Sequence, residues 1–392
     1  MSDKVSFDDI AELEERSSLV IDRLRDHVFA PDRTKRLDLS FKLETAARMC
    51  GRTTQAVRDA ESSDRLPEPA LHPNGRRAGY SLSDVNAMRN AFNTRPWRDA
   101  DDEPVILAVQ NFKGGVGKST LVTHIAQYLA LKGYRVCIID CDSQASTTTM
   151  FGINPDHDIA TEKTILPFLL HGGENSLDYA VRKTYWDGLD LVPANLELYD
   201  AEYSLAARMR DDKHTLDRLR FGVDALSNNY DIILLDPPPA LGMLSVSVFR
   251  AANAIIVPVP PSTIDFASTN HFLWMLLDTM EQLQKLGLTR SYKFFKILAT
   301  KVNESKSAQA DIVQTMEKVF GVSMLRARLK DSAEIDNATS QLMSVYELQK
   351  PLTSRETHNR CRASLDAVNA EIELLIQQSW PSYNSRLSAQ GI

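Results

Sequence analysis

Lys113-Gly114-Gly115-Val116-Gly117-Lys118-Ser119-Thr120 is the stretch whose reading decides the fold of this chain. Before it stands Val105-Ile106-Leu107-Ala108-Val109, a continuous apolar run of the kind that forms a buried parallel strand. After it, Leu121 to Ala130 spaces its apolar residues as a helix packed on a sheet does. Strand, glycine-rich loop and helix is the setting in which backbone N–H groups turn inward around phosphate oxygens. The helix N-terminus adds partial positive charge, Lys118 reaches the β- and γ-phosphates, and Ser119 offers its hydroxyl to Mg²⁺. Gly114, Gly115, Val116, Gly117 and Thr120 complete the cradle. A glycine-rich turn without a ligand has no need of Gly117-Lys118-Ser119. A nucleoside triphosphate with Mg²⁺ is the expected ligand.

The departure from the common G-x-x-x-x-G-K-[ST] pattern is informative, because Phe112 stands where the first glycine belongs and a second lysine, Lys113, follows it. Lys113 comes too early to do the work of Lys118. It is placed to reach across a dimer interface to a neighbour's phosphates, as an arginine finger does in trans. This form resembles the signature of the deviant P-loop ATPases, the ParA/MinD/nitrogenase-iron-protein group. The resemblance implies a homodimer with ATP between its subunits and Lys113 as the signature lysine.

Two acidic strand ends follow. Arg135-Val136-Cys137-Ile138-Ile139-Asp140-Cys141-Asp142-Ser143-Gln144 ends a strand in carboxylates two residues apart, which alternation puts on one side. Paired carboxylates beside phosphates can hold a Mg²⁺ water and orient the attacking water. The segment resembles the family's D-x-D-x-Q, which implies that Asp142 positions water and Asp140 lies on the Mg²⁺ side. Tyr230-Asp231-Ile232-Ile233-Leu234-Leu235-Asp236 is an apolar strand capped by a carboxylate, and Asp236 is the expected Mg²⁺-water contact. Each acidic end alone could be a helix cap or a solvated turn. Their order behind the P-loop argues otherwise.

Further strand-like runs, 189–193, 254–258 and 294–299, alternate with helical segments at 266–286 and 308–320. That alternation is the grammar of an α/β fold with a doubly wound, mostly parallel sheet and ligands at the carboxyl ends of the strands.

At 392 residues, 43% hydrophobic and 25% charged, the chain has the composition of an ordinary globular protein of two or three domains. Cys50, Cys137, Cys141 and Cys361 form no C-x-x-C pair, so neither a zinc site nor a disulfide framework is expected, and a reducing cytoplasm is the default. No long apolar run or signal-peptide pattern appears, so no membrane partner is expected.

A net charge of −7 argues against nucleic acid, but the average conceals residues 40–98, where ten Lys/Arg face six acids. Leu43 to Arg58 reads as helix, glycine turn at Gly51, and helix, with Thr53 or Thr54 as the second cap. Pro73-Asn74-Gly75-Arg76-Arg77-Ala78-Gly79-Tyr80 is a turn between short strands, and Ser81 to Asp84 caps another helix. This α-helical unit resembles a MerR-type winged helix-turn-helix. The resemblance implies base contacts from Thr54, Gln55 and Arg58 and a wing gripping DNA through Arg76 and Arg77.

The expected division is therefore a helical arm at 1–38, a winged helix-turn-helix domain at 39–98, an acidic linker at 100–104, and an ATPase domain at 104–392. In the arm, Ile10, Leu13, Val20 and Leu24 line one side. That side suits dimerisation or packing on its own domain.

Asn111 to Gly115, Arg182 to Pro193 and Ser364 to Glu373 resemble the plasmid ParA proteins called RepA in repABC replicons. That resemblance implies an ATP-dependent plasmid or chromosome partition ATPase associated with the nucleoid. It further implies non-specific DNA binding, stimulation by a ParB/RepB-type partner, and autorepression of its operon through operator DNA. Alternatives are a transcriptional repressor without a segregation role and a MinD-like positioning ATPase, although the tail at 371–380 is acidic where a membrane helix needs lysines. Cys137 and Cys141 suit packing better than iron–sulfur ligation. A GTPase would show N-K-x-D where Thr300-Lys301-Val302-Asn303 stands. Asn303 is instead expected to face adenine.

Overall fold

The computed structural model describes residues 5–29, 35–171, 176–383 and 385. Its centre is a seven-stranded sheet of β1 (Val105–Val109), β2 (Val136–Asp140), β3 (Arg182–Lys183), β4 (Leu189–Val192), β5 (Ile232–Asp236), β6 (Ala254–Val259) and β7 (Phe294–Ala299). The order is β3-β4-β2-β5-β1-β6-β7, parallel throughout except for the short edge strand β3, which the sequence reading did not anticipate. The inner strands are apolar runs because both faces are covered. Ile106, Ala108, Cys137, Ile139, Ile233 and Leu235 enter the core on one face. Their neighbours Val105, Leu107, Val136, Ile138, Ile232 and Leu234 enter the core on the other.

Helix α5 (Lys118–Lys132) leaves β1 through the glycine loop and is buried almost all round, between the sheet and the C-terminal helix Arg355–Gln378. The latter buries Leu365, Val368, Ile372 and Ile376 against it, so the apolar face of the tail is already occupied. On the opposite face lie Met243–Ala251 and Thr263–Lys285. Among the described residues no helix is long and apolar enough to cross a membrane. All four cysteines are free and buried, as packing residues are.

Ahead of the sheet, α1 (Phe7–Phe29) is a single helix with Ile10, Leu13, Leu19, Val20 and Ile21 exposed. The side chain of Leu24 lies outside the described residues. A small unit then folds on its own core: α2 (Leu43–Met49), α3 (Thr54–Ser62) and α4 (Leu82–Phe92) bury Ala46, Ala47, Val57, Tyr80, Val85 and Met88. Thr53, not Thr54, caps α3 by accepting from Ala56 N. Ser81 and Asp84 form a reciprocal capping box on α4.

The segment at 100–104 is not a free linker. Asp102 is buried and accepts from Ser382, and Glu103 O accepts from the indole of Trp380. Three of the ten basic residues counted as a patch also serve this junction. The Arg89 guanidinium, 2% exposed, donates to Leu131 O, Met49 O and Asn86 Oδ1. Burial lowers its pKa to about 10. Arg95 donates to Gly133 O, and Arg98 donates to Ser227 O and Tyr230 O. Gly133 is required twice over: its φ is +103°, and a Cβ there would lie 2.8 Å from the Arg89 guanidinium.

Candidate nucleotide site

Gly117 adopts φ +96° and forms the N-cap of α5, a conformation that admits glycine and strains other residues. Phe112, the residue that breaks the common pattern, packs edge-on against Phe272 and Phe249 at ring separations of 4.7 and 6.3 Å. It anchors the loop in the core where a glycine would leave it loose. Val116 O accepts from Thr300 on the far side of β6.

These contacts frame a cavity of about 720 Å³ lined by Gly114 to Thr120 and Asp142, within the range of small-molecule sites. Built Cβ atoms at Gly114, Gly115 and Gly117 would meet nothing within 4 Å, so the loop backbone borders open space large enough for phosphates. Lys118 is 7% exposed and donates to Lys113 O at 3.4 Å. Burial lowers its pKa, while Asp236 and Asp142 support its charge.

The carboxylates divide in a way the sequence did not disclose. Asp142 lines the cavity, its Oδ1 accepting from Gln144 N at 3.0 Å, and burial raises its pKa. Asp140 and Asp236 stand opposite each other on β2 and β5, both fully buried. Neither lines the cavity, and the Asp140 oxygens are taken by Thr148 N at 2.9 Å, Thr148 Oγ1 at 2.7 Å and Asp142 N at 3.1 Å. Burial and the neighbouring Asp236 charge push Asp140 well above the carboxylate range.

Asp236 keeps one oxygen in hand. Its Oδ2 accepts from Thr147 at 2.7 Å, while its buried Oδ1 has no hydrogen-bond partner. Burial raises its pKa to about 6; the nearby Thr147 and Ser119 hydroxyls oppose that rise. A buried, unpartnered carboxylate oxygen near the Ser119 hydroxyl fits a hydrated Mg²⁺, which supplies hard positive charge. The run Ser146-Thr147-Thr148-Thr149 behind the acidic pair was the available signal for these supporting hydroxyls.

Two other candidate residues lie off this chain's own cavity wall; for Asn303 that differs from the expectation, whereas Lys113 was expected at a neighbouring subunit's phosphates. Lys113 is not on the cavity wall; its ammonium pairs with Asp265 near the start of the helix Thr263–Lys285 of the same chain. Asn303 also lies off the cavity, its Oδ1 accepting from Ser305 N and Ser305 Oγ. The remaining cavity wall includes Met150, Lys301, Lys330, Ile335, Thr339 and Leu342. No motif marks that stretch.

His124 carries a testable consequence for the P-loop helix. Its Nδ1 meets Thr120 O at 2.6 Å and its Nε2 accepts from Val345 N at 3.2 Å, which requires a neutral ring protonated on Nδ1. Complete burial lowers its pKa to about 4, against the smaller opposing effects of Thr120 O and Glu347. The unfolded chain gains a proton near pH 6.5 that the native chain refuses until about pH 4. Stability is therefore full above pH 6.5 and falls by up to about 3 kcal/mol as the pH drops toward 4. His124→Gln is expected to flatten this limb in urea midpoints measured from pH 4.5 to 7; an unchanged slope would refute the assignment.

In the N-terminal unit, Gln55 and Arg58 are exposed on α3 and Thr54 is half-buried, with Gln55 donating to Asp59 at 2.7 Å. Arg76 is exposed at the turn. Arg77 is not: its guanidinium makes a two-pronged pair with Glu61 at 2.7 and 2.8 Å and contacts Tyr80.

Comparison with known proteins follows the same lines. A family model described as an AAA domain matches residues 105–291. The protein named replication protein A in Rhizobium rhizogenes is 31% identical over 368 residues, with 90% of each chain covered. The chromosome partitioning protein ParA of Caulobacter vibrioides NA1000 is 30% identical over 237 residues, 60% of this chain and 84% of that protein. A solved structure named Partition Protein, 17% identical, shares the fold with a TM-score of 0.66 over 93% of this chain and 98% of its own. Joined to the P-loop and to Asp142 on the cavity wall, these likenesses show that the chain belongs to the ParA family of P-loop ATPases.

Proposed function

We propose that the protein is a Mg²⁺-dependent partition ATPase that dimerises around ATP, binds DNA, and is turned over by a ParB/RepB-type centromere-binding partner. The carrying observation is a glycine-lined cavity walled by Lys118, Ser119 and Asp142, with the buried carboxylate of Asp236 behind that wall acting on the Lys118 charge and keeping one oxygen unpartnered. Lys118 and the loop N–H groups hold the β- and γ-phosphates. Ser119 and Asp236 hold Mg²⁺, which when bound neutralises charge developing on the transferred phosphoryl group. Asp142 orients the attacking water. Asp140, its two oxygens accepting from Thr148 and from Asp142 N, braces the end of β2 rather than facing the metal.

Lys113 acts in trans on the partner's phosphates, and that role requires it to exchange Asp265 for phosphate oxygens. Lys113→Ala is expected to retain nucleotide but lose ATP-driven dimerisation and turnover. Sedimentation with ATP reads this out, and a dimerising, active variant would remove Lys113 from the mechanism.

Operator binding and autorepression fall to the N-terminal unit, through Thr54, Gln55 and Arg58 of α3 and Arg76 of the turn. Non-specific binding falls to the ATPase dimer, where Lys and Arg side chains need only meet phosphates. Arg76→Ala is expected to weaken operator binding and reduce its salt slope while leaving the folded unit intact. Arg77→Ala strands the buried Glu61 and is expected to cost about 2 kcal/mol of stability as well. Thermal melts beside footprints at two salt concentrations separate the two effects. Equal melts for both variants would mean that the Glu61 pair contributes nothing.

The deciding experiment is the ATPase rate with and without DNA and the cognate ParB-type protein. A low basal rate raised by the two together is expected. A rate indifferent to the partner, beside intact operator binding, would favour a repressor without a segregation role.

A further inference from the structure

The buried ammonium of Lys35 lies behind the nucleotide cavity, 115 residues before one of the wall residues it holds and 307 before the other. It donates to Met150 O at 2.8 Å and Leu342 O at 2.6 Å, and pairs with Glu347 Oε2 at 2.8 Å, 4.9 Å from the centre of the Tyr185 ring. The three ammonium protons have three acceptors, so its position is fully determined. Met150 and Leu342 both line the cavity. Met150 ends the short helix Ser146–Met150, whose Thr147 and Thr148 hold Asp236 and Asp140. Leu342 sits at φ +52°, a strained conformation that surrounding contacts must hold. Glu347 also accepts from Gln127 on the P-loop helix at 2.8 Å. One side chain thus ties two cavity walls together, and through Glu347 it reaches α5 as well.

The chain that carries Lys35 leads directly to the N-terminal unit. Leu37, Leu39 and Phe41 are half-buried against the ATPase core, and Asp38 O accepts from Gln349 at 2.6 Å. Phe41 then pairs with Tyr80 through two backbone hydrogen bonds of 2.8 and 2.9 Å. The path from cavity wall to basic unit is seven residues long.

We propose that residues 35–41 are a coupling strap, with Lys35 a positioning residue that clamps the Met150 and Leu342 walls and transmits cavity occupancy to the N-terminal unit. The proposal rests on the cavity being the nucleotide site. A ligand touching these walls favours the geometry in which the clamp is closed. By linkage, a closed clamp tightens the ligand by the same factor. The two charges are matched in the interior, so the informative variant removes both, Lys35→Met with Glu347→Gln, and leaves no lone buried charge.

The test is hydrogen exchange on the full chain with and without MgADP, beside calorimetric affinity for MgADP. In the wild type, MgADP is expected to slow exchange at 35–41 and 342–347 at least about fivefold, along with the P-loop. The double variant is expected to bind MgADP about five- to thirtyfold more weakly, and at saturation to protect the P-loop but not the strap. Strap exchange unchanged by MgADP in the wild type, with the P-loop protected, would overturn the coupling and leave the nucleotide site standing. So would wild-type affinity in the double variant. A wild-type chain that does not bind MgADP would remove the site and the coupling together. The wild-type comparison decides even if the double variant does not fold.

Discussion

Lys118→Ala is expected to weaken ATP binding by about a hundredfold or more, the effect of losing a charge-assisted contact worth about 3 kcal/mol in a water-poor site. The side chain is 7% exposed, and its ammonium is the positive charge that Asp142 and Asp236 stabilise. Alanine removes both the phosphate contact and that charge, leaving two carboxylates to repel the incoming phosphates. Folding should suffer little, because Lys118 makes a single long hydrogen bond of 3.4 Å and its burial is itself costly. Calorimetry with ATP and a thermal melt of the same sample check both halves. Wild-type affinity in a folded variant would mean that the loop does not hold phosphate through Lys118.

Asp142→Ala should do the reverse: keep ATP and lose the chemical step. Asp142 lines the cavity, but its side chain contributes to the fold only one hydrogen bond, from Gln144 N. Its removal should leave the glycine cradle, Lys118 and the Ser119–Asp236 pair in place. Loss of a group that orients the attacking water costs about 10²- to 10⁴-fold in turnover. The variant should therefore accumulate with ATP intact, and under the dimerisation proposed above it should sediment as a dimer. Single-turnover hydrolysis with labelled ATP measures the step apart from binding. Turnover at the wild-type rate would transfer the role to another group on the rim.

The fold was legible because its signals are local. Apolar runs such as Val105–Val109 and Ile232–Asp236 became parallel strands within a residue or two of their expected ends. The helix expected at 266–286 spans Thr263–Lys285, and the one at 308–320 spans Ser307–Phe320. A strand buried on both faces needs an unbroken apolar run, and that pattern is visible without knowing its neighbours. The edge strand Arg182–Lys183 carries no such run and escaped notice.

The site was legible in part for the same reason. A loop that cradles phosphate needs glycines, a lysine and a hydroxyl in consecutive positions, so Gly114 to Thr120 announce themselves. Carboxylates at strand ends can also be read, but not what surrounds them. Alternation puts Asp140 and Asp142 on one side, yet Thr148 takes Asp140 inward while Asp142 reaches the cavity.

Sequence alone determined the parallel α/β core, the phosphate loop and the acidic strand ends, because these depend on residues adjacent in the chain. Tertiary structure decided which charges are spent inside the molecule. Asp265 holds Lys113 from 152 positions away, Leu131 O holds Arg89 from 42, and Leu342 O holds Lys35 from 307. A charged side chain carries no local mark of whether it will meet solvent, a ligand or a buried partner. That outcome is settled by desolvation, and desolvation exists only once the distant segments have packed.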